Sequence, residues 1–212
     1  MRQDKLGLLW LEWTVATALG YIVGTLGVLP LAVPIAYAAP PAWVAAAVGG
    51  ALLGMTIGGA QWLVVRRHRL ASGGWWWVLA SLIAATIGLA LGAALAEAFA
   101  PLAARPPDRE AAARMALTQA ALTAGVTGAV FGLVFGAAQW LALRTQHGLS
   151  AWWIAANALA WMAALILAAV LAPQLTVPGA LLLAGIVAGL ITGLVVHRGF
   201  GRMQTGQVQS HT

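Results

Sequence analysis

Residues 50–67 read GALLGMTIGGAQWLVVRR, and residues 128–145 read GAVFGLVFGAAQWLALRT. Glycine recurs at every fourth position: Gly50, Gly54 and Gly58 in one stretch, Gly128, Gly132 and Gly136 in the other. Gln-Trp-Leu follows in each, then a closing arginine, Arg66 or Arg144. Positions four apart share one face of a helix, so the glycines form a stripe that another backbone can approach closely. The rest of each stretch is apolar on every side, the pattern of a helix surrounded by lipid. Barrel strands would alternate polar and apolar residues over about ten positions, and these stretches do not. Helices are the spanning form that remains.

Outward from these stretches the whole chain has the same character. Of 212 residues 62% are hydrophobic and 8% charged, against about one quarter charged in a soluble domain. No charge occurs from Trp13 to Val65, Leu70 to Ala96, Met115 to Leu143, or Thr145 to Val196. A crossing needs roughly 20 apolar residues, so the two middle runs are single spans and the two long ones fold back once. The expected fold-back points are Pro30, Pro34, Pro40 and Pro41 in the first long run and Pro173 and Pro178 in the second, since proline removes a backbone donor. Six helices are predicted near residues 8–33, 42–66, 74–99, 109–143, 151–171 and 178–197. The polar segment 199–212 is expected to be a disordered cytoplasmic tail. The apolar run behind Arg2 and Lys5 is too long for a signal-peptide h-region and carries Glu12, so it is read as an uncleaved helix despite Ala36-Tyr37-Ala38.

The sixth helix continues the glycine series with Gly185, Gly189 and Gly193 and ends Leu194-Val195-Val196-His197-Arg198, but Thr192-Gly193 replaces the Gln-Trp pair. The odd helices match one another at Ala16-Thr17-Ala18, Ala80-Ser81-Leu82 and Ala156-Asn157-Ala158, each preceded by tryptophan. The unit is therefore a helical hairpin repeated in parallel over residues 7–67, 74–145 and 151–198. The fold expected is an all-α integral membrane domain over residues 1–198, pseudo-threefold about the membrane normal and unlike the inverted repeats of many transporters. The stripes can serve packing within the monomer, an oligomer interface, or the wall of a pore.

Basic residues of short loops stay in the cytoplasm. Arg2, Lys5, Arg66, Arg67, Arg69, Arg144, Arg198 and Arg202 fall on one side. Arg105, Arg109 and Arg114 fall on the other, offset by Glu97, Asp108 and Glu110. Both termini are therefore expected inside. The net charge of +6 flanks membrane spans and suits anionic headgroups rather than nucleic acid. Trp10, Trp13, Trp62, Trp75, Trp76, Trp77, Trp140, Trp152 and Trp153 lie near the basic loops and read as a one-sided interfacial belt, or as stacking faces for a quinone or pigment.

Uncharged polar residues recur at one depth: Gln61, Gln139 and Thr192 on even helices, Thr17, Ser81 and Asn157 on odd ones. Buried amides need partners, so these residues are expected either to bind one another across the repeats or to form a ring that takes a small polar ligand. Glu12, one turn inside the interface, is read as an ion-pair partner of Arg66, Arg67 or Arg144 rather than a proton relay. His68, His147, His197 and His211 read as solvated and lack the spacing of a metal site. Asp108 reads as a helix N-cap, with Glu110 four residues before Arg114. Nucleophile-elbow, zincin, P-loop and dinucleotide signatures are absent, so neither an enzyme nor a cofactor is expected.

The repeated Gln-Trp-Leu helix end, short basic loop and Trp-Trp helix start resemble those of multi-pass membrane proteins of cyanobacteria and related bacteria. The resemblance covers most of the chain through residue 198 and departs at Thr192-Gly193. It implies a bacterial plasma-membrane location and brings no activity or site. The first expectation is a structural or accessory membrane protein, whose partners are the bilayer and another membrane protein or a second copy. The alternatives are a small channel or transporter along the threefold axis, then a pigment- or quinone-associated subunit.

Overall fold

The computed structural model describes residues 3–38, 40–68, 74–99, 108–147 and 151–209. Arg2, Arg69, Arg105 and His211 lie outside them, as do the loop prolines Pro106 and Pro107. The described chain forms six helices: α1 Gln3–Ala38, α2 Ala42–Arg67, α3 Gly74–Phe99, α4 Arg109–His147, α5 Trp152–Leu171 and α6 Val177–Gln209. All six are long and apolar enough to cross a membrane. At 1.5 Å per residue even α5, with 20 residues, reaches about 30 Å, the thickness of a hydrocarbon core.

The helix ends follow local chemistry. Asp108 caps α4, its Oδ1 accepting from Ala111 N at 2.7 Å, and Glu110 pairs with Arg114 at 2.7 Å one turn on. Pro41 precedes α2 with an extended ψ of 145°, because proline fixes φ and the chain must turn before the helix begins. Thr176 Oγ1 accepts from Gly179 N at the start of α6, and Pro178 sits in the first turn, where its missing N–H costs nothing.

Two expectations change. Pro30 and Pro34 lie inside α1, which runs to Ala38 instead of ending near residue 33. A proline deletes one backbone bond, whereas stopping the helix in lipid would orphan a whole turn of them. The other change is at the C-terminal end, where α6 continues through Gln209 into the stretch expected to be a disordered tail.

Each helix packs on its neighbours in sequence, and α1 also packs on α6, so the bundle closes into a ring. Glycine makes these contacts close. A Cβ on Gly54 of α2 would lie 2.7 Å from Leu82 Cα of α3, one on Gly132 of α4 would lie 2.7 Å from Ala158 Cα of α5, and one on Gly189 of α6 would lie 2.9 Å from Thr14 Cα of α1. Gly50 likewise meets backbone of α3, Gly128 backbone of α5 and Gly185 backbone of α1, whereas Gly58, Gly136 and Gly193 lie nearest the side chains of Ser81, Asn157 and Trp10. Between α1 and α2 a Cβ on Gly20 would lie 2.6 Å from Ile57 Cα, and between α3 and α4 one on Gly92 would lie 2.8 Å from Thr127 Cα. All nine stripe glycines thus pack inside the chain. The loss of helix propensity at each glycine, about 1 kcal/mol, is offset by a close approach of the neighbouring helix that a larger residue would obstruct.

The core is layered along the helices. Trp13, Trp77 and Trp153 form one apolar cluster with Leu9, Val64, Val65 and Val196. Two turns further on, Tyr21, Phe131, Phe135 and Trp161 form another with Ile57 and the alanines Ala84, Ala85, Ala164, Ala184 and Ala188. Between the two clusters lies the polar set.

Candidate functional site

Thr17, Ser81 and Asn157 each follow a buried tryptophan by four residues, so helix geometry sets them one turn below Trp13, Trp77 and Trp153 on the same faces. Gln61 and Gln139 follow Gly58 and Gly136 by three residues, which turns their amides inward with the stripe, and Thr192 follows Gly189 in the same way. The structure buries all six, none more than 3% exposed.

The layer bonds mainly to itself. Gln61 Nε2 donates to Thr17 Oγ1 at 3.1 Å. Gln139 Nε2 donates to Gln61 Oε1 at 2.9 Å and to Ser81 Oγ at 3.2 Å. One connected network therefore ties α1, α2, α3 and α4 together. Thr192 Oγ1 accepts from Trp13 Nε1 at 3.1 Å and donates to Ala188 O at 2.7 Å, which ties α6 to α1. Asn157 donates from Nδ2 to its own helix at Trp153 O, 3.0 Å away, and its Cβ lies against Gly136.

Aromatic contacts flank the six residues at both ends. Trp13 meets Trp77 edge-on at 5.9 Å and 76° and Trp153 at 5.7 Å and 78°, so three indoles from three odd helices meet at one end. At the other end Tyr21 packs on Trp161 at 5.4 Å, and Phe131 packs edge-on against the same indole at 4.9 Å. Edge-to-face contacts favour such clusters by about 0.5–1.5 kcal/mol per pair beyond area burial.

Three buried polar atoms find no partner among the described protein atoms: Trp77 Nε1, Trp153 Nε1 and Gln139 Oε1. Trp13 donates to Thr192, which follows Gly189 by three residues as Gln61 follows Gly58 and Gln139 follows Gly136. The Gln61 and Gln139 amides instead bond to Thr17, Ser81 and each other. Chemically the layer offers two indole donors and one amide acceptor, with no charge.

Gln61→Leu removes both the acceptor for Gln139 and the donor to Thr17. It is expected to cost about 1–2 kcal/mol of stability. Because Gln139→Leu breaks part of the same network, the double variant is expected to cost less than the two single losses combined. Denaturant titration of the four proteins checks this, and strict additivity would contradict a shared network.

Glu12 stands apart from the layer, at the α1–α2 rim. Its carboxylate is 3.4 Å from Arg67 Nη1 and 2.8 Å from His68 Nε2. Arg67 was among the expected partners. His68 was not, and its side chain is only 11% exposed, so the reading of this histidine as solvated is corrected. The side chains of His147 and His211 lie outside the description, and His197 takes part in a contact of its own.

The tryptophan belt divides. Trp75 and Trp76 are exposed and stack on each other at 4.2 Å, Trp152 is exposed, and Trp62 and Trp140 lie under the guanidinium groups of Arg66 and Arg144 at 5.3 and 5.4 Å. Those residues suit a water–lipid boundary. Trp13, Trp77 and Trp153 are instead buried, none more than 2% exposed. Sequence reasoning missed this, although the signal was present: these three tryptophans, and no others, hold the same register to the polar residue in every odd helix. No protein-family description matches the chain, and neither the curated proteins nor the solved structures contain a match.

Proposed function

We propose that this chain is a multi-pass protein of a bacterial plasma membrane, with both termini in the cytoplasm. Its six helices are three copies of one hairpin about a pseudo-threefold axis along the membrane normal, and its function is structural or accessory, with a non-conducting centre. Support for the symmetry comes from the cyclic glycine contacts: α2 onto α3, α4 onto α5 and α6 onto α1 use equivalent residues. The orientation rests on the excess of basic residues at one set of helix ends.

The observation that carries the function is the closure of the polar layer. A conduction path needs polar groups open to water along the axis. Here Gln61, Gln139, Thr17 and Ser81 bond to one another and Thr192 accepts from Trp13, with Gln139 Oε1 left without a partner among the described protein atoms. The set lies between indoles at one end and Tyr21, Phe131 and Trp161 at the other. The outward faces are instead rich in exposed leucine and valine, the surface a bilayer or another membrane protein would cover.

The test is reconstitution of the purified protein in liposomes. Potassium, proton, chloride and glycerol fluxes are expected to match those of protein-free liposomes. A protein-dependent flux abolished by Gln139→Leu would overturn the proposal in favour of a channel.

A further inference from the structure

A shallow groove of about 400 Å³ runs along the outer seam of α1 and α2. Its floor is made by two small residues, Ala16 and Ala60, and its walls by Leu11, Leu19 and Leu63, each more than half exposed. Glu12 and Arg67, at the α1–α2 rim, also line it, mostly through carbon atoms. From Glu12 to Leu19 the helix rises about 10 Å, which fits within the roughly 15 Å of hydrocarbon in one leaflet.

The rim departs from the repeat. In the register that aligns Thr17 with Ser81 and Asn157, Glu12 aligns with Trp76 and Trp152. Two hairpins therefore carry an exposed indole at this position, and the first alone carries a carboxylate. That carboxylate and the Arg67 guanidinium lie 3.4 Å apart. Arg67 is 74% exposed and keeps donors free to face outward. Glu12 is 22% exposed, and a carboxylate can accept about four hydrogen bonds, more than Arg67 and His68 together take up here.

We propose that this groove holds one acyl chain of a phospholipid whose headgroup carries a phosphate and a primary ammonium, as in phosphatidylethanolamine. The phosphate faces Arg67 and the ammonium faces Glu12. The argument is charge complementarity: a zwitterionic rim at the interfacial end of an apolar groove matches a zwitterionic head on an apolar tail. A choline headgroup has no N–H to give Glu12, and a glycerol headgroup has no cation. The inference rests on the membrane-spanning reading and is independent of the closed centre.

The test uses the full chain, delipidated in detergent and mixed with phosphatidylethanolamine, phosphatidylcholine and phosphatidylglycerol of identical acyl chains, with retained lipid counted by native mass spectrometry. Phosphatidylethanolamine is expected to be retained about threefold to fivefold over phosphatidylcholine, the range of an exposed charge contact. Glu12→Gln is expected to abolish that preference. Arg67→Gln is expected to lower retention of both lipids, and Ala60→Phe to lower retention of all three by filling the floor. Unchanged thermal midpoints establish that the variants are folded, and the exposed Arg67 provides a second variant should Glu12→Gln lose stability. Equal retention of ethanolamine and choline lipids by the unaltered chain, a preference that survives Glu12→Gln, or stronger retention of phosphatidylglycerol would each overturn the proposal. Loss of the lipid preference in a chain that passes no solute sinks the groove alone, whereas solute flux sinks the closed centre alone.

Discussion

Gly132→Leu is expected to separate α4 from α5 and leave little folded protein. A mere Cβ at this position would lie 2.7 Å from Ala158 Cα and would also strike the Asn157 carbonyl oxygen. Both obstacles are backbone atoms, which cannot turn aside as a side-chain tip can. Overpacking typically costs about 1–3 kcal/mol where neighbours can shift, and a clash between two helix backbones belongs at or above the top of that range. The same displacement would pull Asn157 from its place beside Gly136. The paired control is Gly59→Ala, one residue from the stripe glycine Gly58, where an added Cβ meets nothing within 4 Å. That substitution is expected to be neutral, or to stabilise by up to about 1 kcal/mol through helix propensity. Unfolding in mixed micelles, followed by circular dichroism, would show the contrast. Equal effects at the two glycines would mean that the stripes do not pack as described.

Trp13→Ala is the second large effect. Trp13 links both edge-to-face contacts of the indole cluster and donates the hydrogen bond to Thr192. Truncating a fully buried tryptophan costs about 3–5 kcal/mol where the site cannot collapse, and collapse here is limited by close helix contacts on either side. Trp13→Phe keeps a ring and loses only part of the cluster and one hydrogen bond, so a loss of about 1–2 kcal/mol is expected. Trp76→Ala, in an exposed position next to the same cluster residue Trp77, is expected to have little effect on stability. The ranking of Trp13→Ala, Trp13→Phe and Trp76→Ala by thermal midpoint separates core from interfacial tryptophan.

Much of this architecture was legible because lipid simplifies the sequence. Charge-free runs count the crossings, and glycine every fourth residue marks the close helix faces before any partner is known. The polar residues could be placed at one depth because Gln61 and Gln139 share a register to glycine, and Thr17, Ser81 and Asn157 share a register to tryptophan. Other features needed three dimensions. Hydropathy alone places Trp13 and Trp76 alike near the basic loops, and packing was needed to read the four-residue register of Trp13 to Thr17 as burial. Pro30 and Pro34 carry the usual mark of a helix end, yet a membrane penalises unpaired backbone more than it penalises a proline within a helix. His68 looked solvated because its neighbours in sequence are arginines, while its partner Glu12 lies on another helix.

The closed polar centre can be tested most directly by water access. The chain has no cysteine, so any introduced thiol is the sole site for a maleimide, and the reacting thiolate forms only where water reaches it. With single cysteines at Ser81, Thr192 and the exposed Tyr37, labelling in intact membranes is expected at Tyr37→Cys and absent at Ser81→Cys and Thr192→Cys. Labelling of Ser81→Cys at a rate comparable to Tyr37→Cys would contradict the closed centre and place a water path through the bundle.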